Sequence, residues 1–251
     1  MVIDKSDFFP NLPRIKTSQY YVVHIDFLGA KNIITQDKED KFLNDLNNIY
    51  KNAIWDAKEF TGTNLDGLVT RIFSDNILFA IKIGDNFIEE SHKMLMLIQL
   101  VGHFQNRALK KGYLVRGGIA KGSFYKCKNF IYGKGLVDAV LLETENAIYP
   151  RVVLQPGLEK LCEVFINKDE DGFYYVNCYK CSTTGIIESA KLSLLNMLNK
   201  TNNDRKIIQK ILWFVDYHNA YVKMLLSKDE MFSGYTKHII TNSELANSIK
   251  Q

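Results

Sequence analysis

A chain of 251 residues has room for one sizeable α/β domain, or for such a domain with a helical segment appended. Its 46% hydrophobic and 24% charged residues are the make-up of an ordinary soluble globular protein. A formal charge of +4 suits the handling of an anionic small molecule but is too small and dispersed to point to nucleic acid.

The longest apolar stretch of helical character, residues 94–101 between His92 and His103, falls far short of the roughly 20 residues a membrane helix needs. Residues 1–16 lack the basic-then-apolar pattern of a secretory signal, so the expected compartment is cytoplasmic. Cys127, Cys162, Cys178 and Cys181 then read as reduced thiols, since a single CxxC with no second pair is weak grounds for zinc.

Residues 1–18 read as an irregular lead-in punctuated by Pro10 and Pro13. Residues 20–27 (YYVVHIDF), dense in β-branched and aromatic types, predict a strand. Phe42, Leu43, Leu46, Ile49, Tyr50, Ile54, Ala57 and Phe60 then recur at three-to-four spacing, which predicts an amphipathic helix of about 25 residues. After a turn around 62–67, the apolar runs 68–73 and 76–83 flank Ser74 and Asp75, a hairpin with a tight polar turn. A second helix is expected over 87–111, apolar at Met94, Leu97, Ile98, Val101 and Phe104 and stopped by Gly112.

A strand over 113–119, a glycine-rich stretch to Gly122 and short strands at 123–126 and 130–132 follow, leading into a helix over 133–145. Further strands are expected at 152–154 and 173–177, then helix from Ser189 to about 226, with the polar stretch 199–205 the candidate linker. The last 25 residues carry no clear pattern. The order β-α-β-β-α-β, with two long helices for one face of an antiparallel sheet, predicts an α+β fold with a ferredoxin-like core.

In that topology Asp26, at the end of the first strand, and Asp75, in the hairpin turn, meet at one edge of the sheet. Paired carboxylates suit oxygen-preferring divalent ions that also hold a triphosphate, and Gly29 lets backbone approach phosphate closely. Taken singly, Asp26 also reads as a helix cap and Asp75 as an ordinary turn residue.

A third segment, residues 114–143 (LVRGGIAKGSFYKCKNFIYGKGLVDAVLLE), completes a pattern. A strand ending in Asp26 with Gly29 beyond it, Ser74–Asp75 in a hairpin, Arg-x-Gly-Ile-x-x-Gly over 116–122, Tyr132–Gly133 and a helix ending at Ala139 to Glu143 together resemble the class III nucleotidyl cyclases over about residues 20–145. The resemblance implies a catalytic domain over 19–180 and a helical extension over 181–251 packed on the core or dimer. It implies that Asp26, Asp75 and the carbonyl of Phe27 bind two divalent ions, Mn2+ or Mg2+, with Gly29 and Ser74 against the phosphates.

Four positions depart from the family pattern. The base-reading positions hold Arg71 and Phe130, a poor match for either purine, and the helical asparagine and transition-state arginine are replaced by Val137 and Leu141. Arg116, Lys121, Lys126 and Lys134 are the candidates for the missing cation, with Arg116 as the catalytic choice and Lys134 as a substrate contact. This combination looks like the pyrimidine cyclases of the Pycsar anti-phage systems. That likeness implies a homodimer with composite active sites, turning UTP or CTP into cyclic UMP or cyclic CMP for a separate effector, often membrane-acting. Uracil and cytosine both stay open, as do a purine cyclase, a degenerate nucleotide-binding module, a palm-type polymerase relative and a structural α+β protein.

Other conspicuous residues have plainer readings. His24, on the face of Asp26, reads as a satisfied core histidine; Phe173, Tyr175 and Tyr179 read as sheet packing. Trp213, Phe214, Tyr217 and Tyr221 read as core or dimer surface.

Overall fold

A computed structural model describes residues 16–62, 65–182, 185–201, 204–228 and 230–249. The predicted lead-in therefore lies almost wholly outside the described residues, and Ser18 already opens β1 (Ser18–Phe27). A short helix α1 (Ala30–Thr35) and the long α2 (Lys41–Thr61) lead to the hairpin β2 (Val69–Phe73) and β3 (Asn76–Lys82). Next come α3 (Phe87–Lys110), β4 (Val115–Lys126), β5 (Ile131–Tyr132) and α4 (Lys134–Leu141). The short strands β6 (Val152–Leu154), β7 (Ile166–Lys168) and β8 (Tyr174–Val176) precede three helices, α5 (Ile186–Asn199), α6 (Arg205–Lys228) and α7 (Asn242–Ile249).

The strands form one mixed sheet in the order β2-β3-β1-β4-β6-β8-β7, with β5 hydrogen-bonded to β4 outside that path. The first four are antiparallel neighbours in the ferredoxin-like order, and β6 joins β4 in parallel. The chain is thus α+β, as its sequence pattern predicts. Tyr21 through Ile25 are all buried, because β1 is central and covered on both faces.

On one face Tyr21, Val23, Ile25 and Phe27 pack against Phe42, Leu46, Ile49 and Ala53 of α2 and Met94, Leu97, Val101 and Phe104 of α3. Both long helices start on side-chain acceptors. Asp37 accepts the amides of Lys41 and Phe42 at 2.8 and 2.9 Å, and Asn86 accepts that of Glu89 at 3.0 Å. On the other face Val22, Leu78, Ala80, Ala120 and Val153 meet Ala139 of α4, Ile187 and Leu194 of α5, and Ile211, Phe214 and Val215 of α6.

The structure departs from expectation where glycine or short length weakens the pattern. Residues 115–126 form one unbroken strand, not two pieces around a glycine stretch. The reason is α4, which lies directly on the strand. A Cβ on Gly118 would fall 2.3 Å from the Ala139 carbonyl oxygen, and one on Gly122 would fall 2.7 Å from the Gly135 nitrogen. The expected helix to residue 145 ends as an α-helix at Leu141 and continues as a wider π-type turn, Leu142–Asn146. The helical stretch expected from Ser189 is two helices, α5 and α6, broken at 199–205. The sequence pattern gave no sign of α1, β7 or α7.

Candidate functional site

Strand register sets the site. Asp26 is paired with Asn76 of β3 on one side and with Arg116 of β4 on the other. Phe73 pairs with Asn76, so Ser74 and Asp75 form a two-residue turn, with Ser74 at a φ of 58°. Asp75 therefore stands next to Asn76, the residue that faces Asp26, and its charge bears on the Asp26 carboxyl. Phe27 is buried at the end of β1, and Gly29, with φ at 79°, turns the chain into α1.

The electrostatics of this edge are strained in one direction and relieved in the other. Burial pushes the Asp26 carboxyl above its ordinary range, Arg116 opposes that shift, and the negative charge of Asp75 adds to it. Arg116 Nε lies 3.3 Å from Asp26 Oδ2, and the same guanidinium approaches Glu143 Oε1 at 2.7 Å without the alignment of a hydrogen bond. Glu143, on the π-type turn, is only 3% exposed, and burial pushes its carboxyl up too. His24 lies beneath, with Nδ1 3.7 Å from Glu143 Oε2, and burial pushes its pKa down, which keeps the ring neutral at neutral pH.

A second group forms around Arg71, which faces Leu78, one same-face step along β3 from Asn76. Its guanidinium donates to the carbonyls of Thr70 at 2.8 Å and Cys127 at 2.9 Å. Cys127 in turn donates its amide to the Phe130 carbonyl at 3.0 Å, so Arg71 reaches the turn that ends at Phe130. Phe130 is 51% exposed and packs its ring on Tyr125.

Lys134 is not brought to Asp26 within one chain. It opens α4 beside Gly122, six residues along β4 from Arg116, or about 20 Å at the usual strand rise. There it pairs with Asp138 at 2.5 Å on the surface. Lys121 is likewise engaged, by Glu90 at 2.7 Å. Val137 and Leu141 stand exposed on α4.

Two charged groups acting on this edge escaped the sequence reading. Glu143 was visible only as the end of a motif, and Lys210 gave no local sign at all. Lys210 lies on α6, half-buried, where burial and Arg116 lower its pKa and Asp26 raises it. The only pointer in the sequence is its position next to Ile211, at the margin of the buried stripe of α6.

The donors at this edge fit hard divalent cations: all are oxygens, two of them carboxylates crowded together. Among the described residues no cluster of three or more His, Cys, Asp or Glu side chains forms a closed metal cage. Two carboxylates leave open positions for substrate oxygens, as metal-assisted phosphoryl chemistry needs. Elsewhere, Cys178 and Cys181 sit buried in a turn against α3, and burial pushes the Cys178 thiol up to about 12. No helix among the described residues is long and apolar enough to cross a membrane.

No family model matches the chain, and no curated protein matches it. Solved structures with a similar course include the adenylyl cyclase CyaB from P. aeruginosa, at 14% identity over 64% of this chain and 94% of that one, with a TM-score of 0.43. The dimeric guanylyl cyclase domain of the RhoGC fusion protein from the aquatic fungus Blastocladiella emersonii shares 11% identity over 64% of this chain and 94% of that one, with a TM-score of 0.47. A bacterial light-regulated adenylyl cyclase shares 11% identity over 71% of this chain and 100% of that one, with a TM-score of 0.40. At these scores the likeness bears no weight on the site.

Proposed function

We propose that the chain is a divalent-metal-dependent nucleotidyl cyclase acting on UTP or CTP. The observation that carries this reading is the meeting of Asp26 and Asp75 at one sheet edge, against Arg116. Asp26, Asp75 and the Phe27 carbonyl would hold two ions, Mn2+ or Mg2+. Such ions, when bound, lower the pKa of the ribose 3′-hydroxyl and neutralise the departing pyrophosphate. The chain's own part is placement: the 3′-oxygen forms its bond to the α-phosphorus as the bond to the β-phosphate oxygen breaks, in line. The hydroxyl proton passes to solvent and pyrophosphate leaves.

Arg71 and Phe130 shape the base pocket in this reading. A guanidinium donates and cannot accept, and a phenyl ring only stacks, which suits a pyrimidine carbonyl better than a purine edge. Lys134 and Asp26 lie too far apart along β4 to serve one nucleotide in one chain, so the active site is composite, with a second copy of the chain completing it. The exposed apolar side chains of Ile72, Phe73, Tyr132, Val137 and Leu141 supply surface for that contact. Residues 19–180 form the catalytic unit and 181–251 a helical extension. The product serves as an anti-phage signal read by a separate effector in the cytoplasm.

The test is to incubate the protein with each ribonucleoside triphosphate and Mn2+ and to identify 3′,5′-cyclic products by mass spectrometry. Cyclic UMP or cyclic CMP that disappears in Asp26→Ala and Asp75→Ala bears the reading out. A cyclic purine as main product keeps the cyclase and discards the base pocket; no product from any triphosphate discards the enzyme and leaves a degenerate nucleotide-binding module.

A further inference from the structure

Helices α2 and α3 cover the sheet face opposite the one that Asp26 shares with Val22. Between their C-terminal halves lies a polar cavity of about 360 Å³, in the size range of small-molecule sites. His103, Asn106, Arg107 and Lys110 line it from α3 at three-to-four spacing, and Asp56, Glu59 and Phe60 line it from α2. Arg107 pairs with both carboxylate oxygens of Asp56, at 2.6 and 2.7 Å, and the Phe60 ring meets that of His103 at 5.9 Å between centroids. The two helices therefore run antiparallel, which puts Glu59 and Lys110 at opposite ends of the cavity. Each stands three residues from the Asp56–Arg107 pair, so their backbones are about 9 Å apart along the groove.

The wall between them holds polar groups that the protein leaves unmatched. Asn106 is 3% exposed, and its Nδ2 donates to the Cys178 carbonyl at 2.6 Å. That bond fixes Oδ1 as an acceptor, and it has no donor among the described residues. His103 Nε2 is likewise buried and without a partner. Buried polar atoms of this kind are few in folded proteins and destabilise them until matched. The charges divide in the same way. Asp56 and Arg107 satisfy each other, whereas Glu59 and Lys110, both exposed, make no ion pair among the described residues.

We propose that this cavity binds a short peptide, two or three residues long, with both of its termini free. An extended chain advances about 3.5 Å per residue, so two or three residues cover the span from Glu59 to Lys110. The ammonium end meets Glu59, the carboxylate end meets Lys110, and an inner N–H supplies the donor that Asn106 Oδ1 lacks. A side chain packs on the Phe60 ring, which is 51% exposed. A single amino acid is too short to reach both charges, and a nucleotide would set its phosphates against Glu59 at one end. The site is separate from the Asp26–Asp75 edge and does not rest on the cyclase reading.

The test reads binding to the whole protein by calorimetry, with trialanine and leucylalanine as probes. The same titrations are run on Glu59→Gln, Lys110→Met and Lys51→Ala, with the melting temperature of each recorded. All three positions are exposed, and Lys51 lies on α2 outside the cavity, so it controls for general charge. The expected result is binding of at least one probe by the parent, about fivefold or more weaker in Glu59→Gln and in Lys110→Met and unchanged in Lys51→Ala. N-acetylation of the probe should mimic Glu59→Gln, and C-terminal amidation should mimic Lys110→Met. No binding of either probe by the parent, or equal binding of the blocked and free peptides, overturns the proposal. So does an equal loss in Lys51→Ala, or free alanine binding as tightly as trialanine.

Discussion

Arg116 ties Asp26, at the sheet edge, to Glu143, buried on the turn after α4. The link gives the site a fixed geometry without a metal. Replacing Glu143 with glutamine removes the anion that holds the far side of the guanidinium. Burial already disfavours that anion, and Arg116 is a quarter exposed and keeps Asp26, so the variant should lose no more than about 1 kcal/mol at neutral pH. Denaturant unfolding of Glu143→Gln checks it. Tripolyphosphate binding in Mn2+ should also weaken, because Arg116 is then free to turn fully onto Asp26 and compete with the cation; unchanged binding would show that Glu143 is structural only.

Asp75→Asn separates stability from function. Its carboxylate repels Asp26, so removing the charge should leave the metal-free protein as stable as the parent or slightly more so, by up to about 1 kcal/mol. Millimolar Mn2+ should raise the melting temperature of the parent and leave that of the variant unmoved. A variant that melts several degrees lower without metal would contradict this account of the pair.

How much of this could be read from the chain alone follows from where the information lies. β1, the hairpin and the helices α2 and α3 have dense apolar periodicity and clear turn residues, and their places were legible. β4 was not legible as one strand, because the glycines that seat α4 look like breaks until the helix is there to explain them. α1 has six residues and opens on Gly29 with no side-chain cap, so no start signal marks it. Asp26 and Asp75 were legible because the fold's topology brings their two elements together. Glu143 was not, because burial across distant elements, rather than spacing along the chain, sets it against Arg116.

The pH dependence follows from Asp26 and Glu143, both raised above their ordinary values by burial, with Arg116 opposing. A carboxyl with a raised folded pKa binds its proton more tightly in the folded state. Its contribution to stability is therefore fully present below the unfolded pKa and is lost as pH rises through the folded one. The groups that act on the pair are Arg116 and Asp75, with His24 against Glu143. The stability of the parent relative to the Asp26→Asn, Glu143→Gln double variant should thus fall as pH rises from about 4 towards neutrality. Mn2+ binding by the parent should strengthen over the same window, since the ion displaces the proton on Asp26. Unfolding curves in urea across that range check the first claim and calorimetry the second; a difference that rises with pH would reverse the assigned direction.

Gly118 connects the core to the site. An added Cβ there would meet the Ala139 carbonyl oxygen at 2.3 Å, the Leu142 Cβ at 2.6 Å and the Glu143 nitrogen at 3.0 Å. Two of these neighbours are backbone and cannot swing aside, so α4 must lift off β4. Gly118→Ala should cost about 3 kcal/mol, as an overpacked contact does. Lifting that turn also carries Glu143 away from Arg116, so tripolyphosphate binding in Mn2+ should fall with stability. At Gly157, whose added Cβ has open space but whose φ is 97°, alanine should cost only about 1 kcal/mol of backbone strain and leave binding intact. If both alanine variants lost stability equally and neither lost binding, the seat of α4 on Gly118 would not be what sets Glu143 against Arg116.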